Sequence, residues 1–320
     1  NSEEFFDNFL YLNVNYFSKN NNGFHIVYDN VFSNINKNSS YFVAKSAWET
    51  LSNNEKKLYR TSALAGVLAI FEFEPIMLEA SEGEMQLEIQ ADRSGEIGDV
   101  RDILIKRRDI EWEIGLSVKR NNFAVKHSRL SSVLDFGEKW YGVKCTEKYW
   151  DEIKPIFDYL NENKGVKWQD IPSKEDDVYV PLLNAFKNEL ERQRIVKGNV
   201  LAKSIVEYML GKFDFYKMIG LDGKRETRIQ VFNFRGTLNK DGKLKKRLGI
   251  LNLSKLPKRI VALQYKPKSK TTLELYLDEG WQFSFRIHNA SKKVENSLKF
   301  DINIIGMPST IDLINCSWNI

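Results

Sequence analysis

The span from 98 to 131, GDVRDILIKRRDIEWEIGLSVKRNNFAVKHSRLS, gathers Asp99, Asp102, Glu113, Ser117 and Lys119 within a few turns of chain. Carboxylates close to a lysine suit phosphodiester hydrolysis. Acids hold a divalent metal, a water attacks, and a cation meets the charge that accumulates on the phosphate in the transition state. Asp102 and the acidic face of the strand that follows can supply the carboxylates, and Lys119 the cation that also orients the water. Mg²⁺ is the expected ion, because the ligands are oxygens and Mg²⁺ retains waters that can serve as nucleophile.

These residues need a hairpin to bring them together. Residues 100–105 and 110–118 are rich in β-branched side chains, with a polar turn at 106–109. Along the second strand Trp112, Ile114, Leu116 and Val118 share one face, and Glu113, Gly115, Ser117 and Lys119 share the other. Opposed residues of an antiparallel pair share a face, and their numbers sum to a constant set by the loop. An even-length loop places Asp102 beside Glu113, Ser117 and Lys119, whereas an odd one places Asp99 there. Two-residue loops are common, so Asp102 ranks first.

Around the hairpin the pattern alternates between helix and strand. Residues 1–40, rich in Asn and aromatics, show no clear period. Ser52-x-x-Glu55 has the form of a capping box for a helix that Pro75 ends. Helices are expected at 147–164, 181–196 and 200–211, and strands separated by Asp-Gly and Asp-Glu-Gly turns from Phe213 onward. The fold class is α+β: a mixed sheet flanked by helices, with a strand-rich C-terminal region. The expected division is a mostly helical 1–85, a catalytic core with a helical extension at 86–212, and a β-rich DNA-reading region at 213–320.

Composition narrows the function classes. The chain of 320 residues is 42% hydrophobic and 28% charged, as expected of a folded globular protein. Cys145 and Cys316 lie far apart, and the three histidines are scattered, so neither a disulfide framework nor a zinc site is implied. The apolar stretch 64–73 is interrupted by Glu72 and is too short to span a bilayer. The chain begins Asn1-Ser2-Glu3-Glu4, without a basic leader or Met, which suggests a trimmed N-terminus. A cytoplasmic protein with no membrane partner is the expectation.

A net charge of +5 permits a polyanionic partner, and local clustering must carry the argument. Between Arg235 and Lys270 the chain holds Lys240, Lys243, Lys245, Lys246, Arg247, Lys255, Lys258, Arg259, Lys266 and Lys268 against Asp241 alone. Such a block suits phosphate contact, which gives affinity rather than sequence choice. In Trp281-Gln-Phe-Ser-Phe-Arg-Ile-His-Asn289, alternation buries the apolar residues and presents Gln282, Ser284, Arg286 and His288 together, followed by Asn289 and Lys292 in a loop. Arginine forks onto guanine O6 and N7, so this strand is the candidate for groove contact. Lys126, His127 and Arg129 are further candidates for phosphate.

Asp102 followed by Ser117-Val118-Lys119 resembles the PD-(D/E)xK nuclease superfamily. The longer runs Gly98–Asp102, Trp112-Glu113-Ile114-Gly115, Val125–Ser131, Asp135–Trp140, Gly280-Trp281 and Ser297–Asp301 resemble the HaeIII-like type II restriction endonucleases. The resemblance implies Mg²⁺-dependent cleavage of double-stranded DNA at GGCC, leaving 5′-phosphates. It also implies a cognate cytosine methyltransferase acting on the same site, and either a homodimer or two sequential cuts by a monomer. The superfamily pattern wants an acid where Ser117 stands. Glu113 lies on the same face but four residues away, about 13 Å at strand rise. Glu72, Glu74, Glu79, Asp135 and Glu138 are the other acids that could complete the metal site. Competing readings are a nuclease of the same superfamily with another sequence or a repair role, and a DNA-binding protein that has lost its catalytic site.

Overall fold

The structure is a computed structural model that describes residues 34–77, 85–90, 99–240 and 248–318, apart from the side chains of 34, 35 and 127. The described residues fall into two compact units that the chain visits alternately. One holds the described residues up to Asn122, Lys212–Lys255 and those from Ser309. The other holds Phe123–Gly211 and Leu256–Pro308. The expected boundaries at 85/86 and 212/213 cut the chain into consecutive segments instead. Only the second lies close to an observed crossing, because strands distant in sequence share one sheet in each unit.

The first unit is built on a mixed sheet. Its strands are β1 (Asn34–Asn36), β2 (Met85–Ile89), β3 (Ile103–Arg107), β4 (Trp112–Arg120), and, after the excursion through the second unit described below, β6 (Phe215–Leu221), β7 (Glu226–Phe232) and β12 (Leu313–Ser317). They run in the order β1-β2-β3-β4-β6-β7-β12. The pairs β1–β2 and β4–β6 are parallel and the rest antiparallel. Helices α1 (Ser39–Glu49) and α2 (Asn53–Phe73) precede β2. The capping box forms as the sequence predicts: Ser52 Oγ accepts from Glu55 N, and the Glu55 carboxylate accepts from Ser52 N at 2.9 Å. Helix α1 has no expectation behind it, since its apolar periodicity is weak. It is capped by Asn38, which accepts from Tyr41 N.

One face of this sheet is apolar and is covered by α2. Ala63, Val67, Ile70 and Phe71 pack with Leu87, Ile105, Ile114, Leu116, Met218 and Ile229. Gly66 permits the approach, since a Cβ there would stand 2.0 Å from Met218 Cε. The sheet's opposite face carries Asp102, Ser117 and Lys119.

The second unit contains β5 (Ala124–Ser131), α3 (Phe136–Tyr141), α4 (Glu147–Glu162), α5 (Val180–Lys197), α6 (Asn199–Leu210), β8 (Ile260–Tyr265), β9 (Thr272–Leu277), β10 (Gln282–His288) and β11 (Ser297–Gly306). Three of these helices match the predicted spans to within about two residues. The strands form an antiparallel sheet in the order β5-β11-β10-β9-β8. Phe283, Phe285 and Ile287 alternate inward as expected, and Phe285 and Phe300 pack with Trp140 of α3 and Phe186 of α5.

Candidate active site

The loop between β3 and β4 has four residues, 108–111, and Ile103 pairs with Leu116. That register is of the odd-sum kind, and it sets Asp102 opposite Ser117. The ladder continues through Asp102: its N–H donates to Leu116 O at 2.7 Å, and its carbonyl accepts from Gln90 N at 2.9 Å. The turn lies two residues later than the sequence suggests: β3 runs on through Lys106 and Arg107, and β4 begins at Trp112 rather than at 110.

Three donors converge on one oxygen of Asp102. Ser117 Oγ donates to Oδ2 at 3.1 Å, Val118 N at 2.7 Å and Lys119 Nζ at 3.2 Å. Oδ1 receives none of them, and the side chain keeps 22% of its surface exposed. The next residues are pinned. Arg120 donates from Nε and Nη2 to Asp222 Oδ2 at 2.9 and 2.8 Å and lies 4.1 Å over the Tyr59 ring, while Asn121 Nδ2 donates to the same carboxylate at 2.9 Å. The end of β4 that presents Lys119 is therefore tied to the turn that follows β6 and to α2.

Glu113 and Asp99 are engaged elsewhere. Arg101 donates from Nε and Nη2 to the two oxygens of Asp99, both at 2.8 Å, and from Nη1 to Glu113 at 2.6 Å, with its guanidinium 4.1 Å over the Phe213 ring. Its stem crosses β4 at Gly115, where a Cβ would stand 2.0 Å from Arg101 Cδ. Lys106 adds contacts to Glu88 at 3.0 Å and to Glu113 at 3.8 Å. The structure thus keeps Glu113, one of the candidates for a second metal ligand, in an ion-pair network four residues along the strand from Ser117.

The other acids are placed apart as well. Glu74 is fully buried on the α2 side of the sheet, where its carboxylate accepts from Tyr216 Oη at 2.5 Å and Asn239 N at 2.6 Å. Burial pushes its pKa up to about 7 against those hydrogen bonds. Glu72 is exposed on α2. Asp135 belongs to the second unit and caps α3, accepting from Glu138 N at 2.9 Å and Cys145 N at 3.1 Å, and Glu138 is exposed on that helix. Glu79 lies outside the described residues. Among the described residues no group of three His, Cys, Asp or Glu could hold a metal ion.

One residue beside the site escapes the sequence reading. Lys217 on β6 pairs with Ser117 and so shares the face of Asp102 and Lys119, and it is buried. Burial, and then Lys119, pull its pKa down to about 7, while Asp102 opposes the shift. A lysine in the middle of the apolar run Phe215-Tyr-Lys-Met-Ile was the available signal.

The candidate DNA contacts separate similarly. Lys126 turns inward: its ammonium sits 3.8 Å over the Tyr208 ring and donates to Tyr208 O at 2.9 Å, and burial followed by Lys139 lowers its pKa to about 8. It does not present a cation to solvent as expected. The His127 side chain lies outside the described residues. Arg129 is exposed and donates to Ser297 Oγ at 2.8 Å. Gln282, Ser284, Arg286 and His288 share a face, but Ser284 is buried there, and Arg286 is the most exposed of the four. Asn289 is tied into its turn by Tyr179 and Ser291, and Lys292 is exposed. In the basic block 241–247 lie outside the described residues, and Arg235, Lys258, Lys266 and Lys268 are exposed.

The family model described as HaeIII restriction endonuclease matches residues 16–308, a span containing every candidate named above. A curated relative, the type II restriction enzyme HaeIII of Haemophilus aegyptius, is 51% identical over 287 residues, which cover 89% of this chain and 90% of that protein. No solved structure matches.

Proposed function

This chain belongs to the HaeIII restriction endonuclease family, and from that membership we propose that it cuts both strands of double-stranded DNA at GGCC, with the Asp102–Ser117–Lys119 cluster as its nuclease centre. The observation that supports this most directly is the convergence of Lys119 Nζ and two further donors on one oxygen of a partly exposed aspartate. A divalent metal, Mg²⁺ by ligand chemistry, fits that aspartate. Oδ1 is a hard oxygen outside the three hydrogen bonds, and Mg²⁺ is commonly held by one or two carboxylates plus waters and phosphate oxygens. When bound, the metal would supply Lewis acidity and an acidified water.

The chain's own residues do the rest. Ser117 and the Val118 amide fix the Asp102 carboxylate so that its orientation costs nothing at the moment of reaction. Lys119, 31% exposed, can lean from Asp102 toward a phosphate oxygen and stabilise the charge that builds there, and it can orient the attacking water. The bond from water oxygen to phosphorus forms as the P–O3′ bond breaks. The products are a 5′-phosphate and a 3′-hydroxyl, the leaving oxygen taking a proton as the water loses one. Arg286, Gln282 and His288 would contact base edges, and Arg129 and Lys292 the backbone.

A palindromic site calls for a homodimer or for two sequential cuts by one copy. A cytosine methyltransferase of the same specificity would protect the host, with both enzymes in the cytoplasm. Among the described residues no helix is long and apolar enough to cross a membrane. Digestion of a plasmid of known sequence with Mg²⁺ tests the specificity. Discrete fragments ending at GGCC are expected, and cutting at other sequences, or a smear, would overturn it.

A further inference from the structure

The residues proposed to read bases on β10 are donors, or groups that serve as either donor or acceptor, yet the sheet sets an acid among them. Asp301 on β11 stands directly opposite Arg286 in the antiparallel register and therefore shares its face. Its Oδ2 lies 3.8 Å from Arg286 Nη2 and its Oδ1 3.1 Å from His288 Nε2, while His288 Nδ1 is 2.9 Å from Asn289 O and must donate to that carbonyl. One carboxylate thus lies within ion-pair distance, short of a hydrogen bond, of both cation-capable side chains at this end of β10.

Stability does not account for the Arg286 side of this arrangement. The Arg286 side chain is 62% exposed, and an ion pair so open to water contributes little. On a surface meant for a polyanion, an acid also weakens every phosphate contact nearby. What an acid can do there is restrict rotamers. A free arginine spends most of its time in orientations that cannot fork onto guanine O6 and N7, and a neighbouring carboxylate narrows that set before DNA arrives. The same charge penalises complexes in which no guanine edge compensates for it, which is how specificity is often built.

We propose that Asp301 is a specificity-determining positioning residue, which aims Arg286 and His288 at the bases of the recognition site and repels sequences that lack them. The proposal rests on reading β10 as a DNA-contacting strand. The test measures the dissociation constants of the full-length protein, with Ca²⁺ in place of Mg²⁺, for a GGCC duplex and for duplexes with one G·C pair of the site replaced by A·T. Asp301→Asn should weaken cognate binding and tighten non-cognate binding, so that their ratio falls at least tenfold, and Asp301→Glu should restore part of it. Thermal midpoints within a degree or two of wild type would show that the fold is kept. A ratio unchanged in Asp301→Asn, or an equal loss on every duplex, would overturn the role. Arg286→Ala separates the two layers. If it keeps full discrimination, the reading of the strand falls, and if it loses discrimination while Asp301→Asn does not, only the role of Asp301 falls.

Discussion

Asp102 Oδ2 accepts from Ser117 Oγ, Val118 N and Lys119 Nζ, and these three donors are not equivalent. The amide and the serine hold the carboxylate, whereas in the proposed reaction the ammonium would also meet the phosphate. Loss of one hydrogen bond to a charged carboxylate is worth about 2 kcal/mol, or roughly thirtyfold in rate. Ser117→Ala should therefore slow single-turnover cleavage of a GGCC duplex by no more than about a hundredfold. A far larger loss would mean that the serine itself takes part in the chemistry. Asp102, Ser117 and Lys119 were legible in the sequence because strand alternation and loop parity depend on local spacing. The fate of Glu113 and Asp99 was not, because it turns on where the Arg101 side chain goes. Lys217 was hidden for a similar reason: it joins Ser117 through a parallel pairing that closes across about a hundred residues. The inward turn of Lys126 was partly legible, since it alternates with Ala124 and Leu130 on β5.

At the scale of elements, the hairpin owes its geometry to a glycine. Arg101 crosses β4 at Gly115, and any side chain there displaces the guanidinium from Asp99 and Glu113. Asp99 is nearly buried, so the displacement strands a carboxylate with little water to replace its partner. Breaking such a pair costs about 3 kcal/mol. Gly115→Ala should accordingly unfold at clearly lower denaturant than wild type, although alanine is ordinarily the better strand residue. An unchanged midpoint would show that the Arg101 network does not hold the hairpin. Periodicity and caps were enough to find α2, α4, α5 and α6. The short α3 and the weakly amphipathic α1 depend on capping and packing that a single sequence does not display.

For the whole molecule, sequence order and spatial grouping diverge. The chain leaves the first unit just after Lys119, returns just before β6, and alternates again at 255/256 and 308/309. Consecutive domains were the natural expectation, since no composition shift marks these crossings. The stability of the first unit carries its own signature. Burial raises the Glu74 pKa from 4.5 to about 7, so the folded chain keeps a proton that the unfolded chain has already lost. The stabilisation from this group is complete below the unfolded value and disappears as pH rises through about 7. Denaturant titrations of wild type against Glu74→Gln should show wild type losing up to roughly 3 kcal/mol relative to the variant between acid and neutral pH. A constant difference across that range would contradict the burial argument.

In the proposed nuclease centre Lys119 acts in the chemistry, beside Asp102, and not in holding DNA. The direct measurement is Lys119→Ala, assayed for cleavage of a GGCC duplex with Mg²⁺ and for binding of the same duplex with Ca²⁺. Cleavage should fall by at least about a thousandfold, the scale of removing a transition-state charge contact, while the dissociation constant changes by less than about fivefold. A variant that still cuts at near wild-type rate would place the nuclease centre elsewhere.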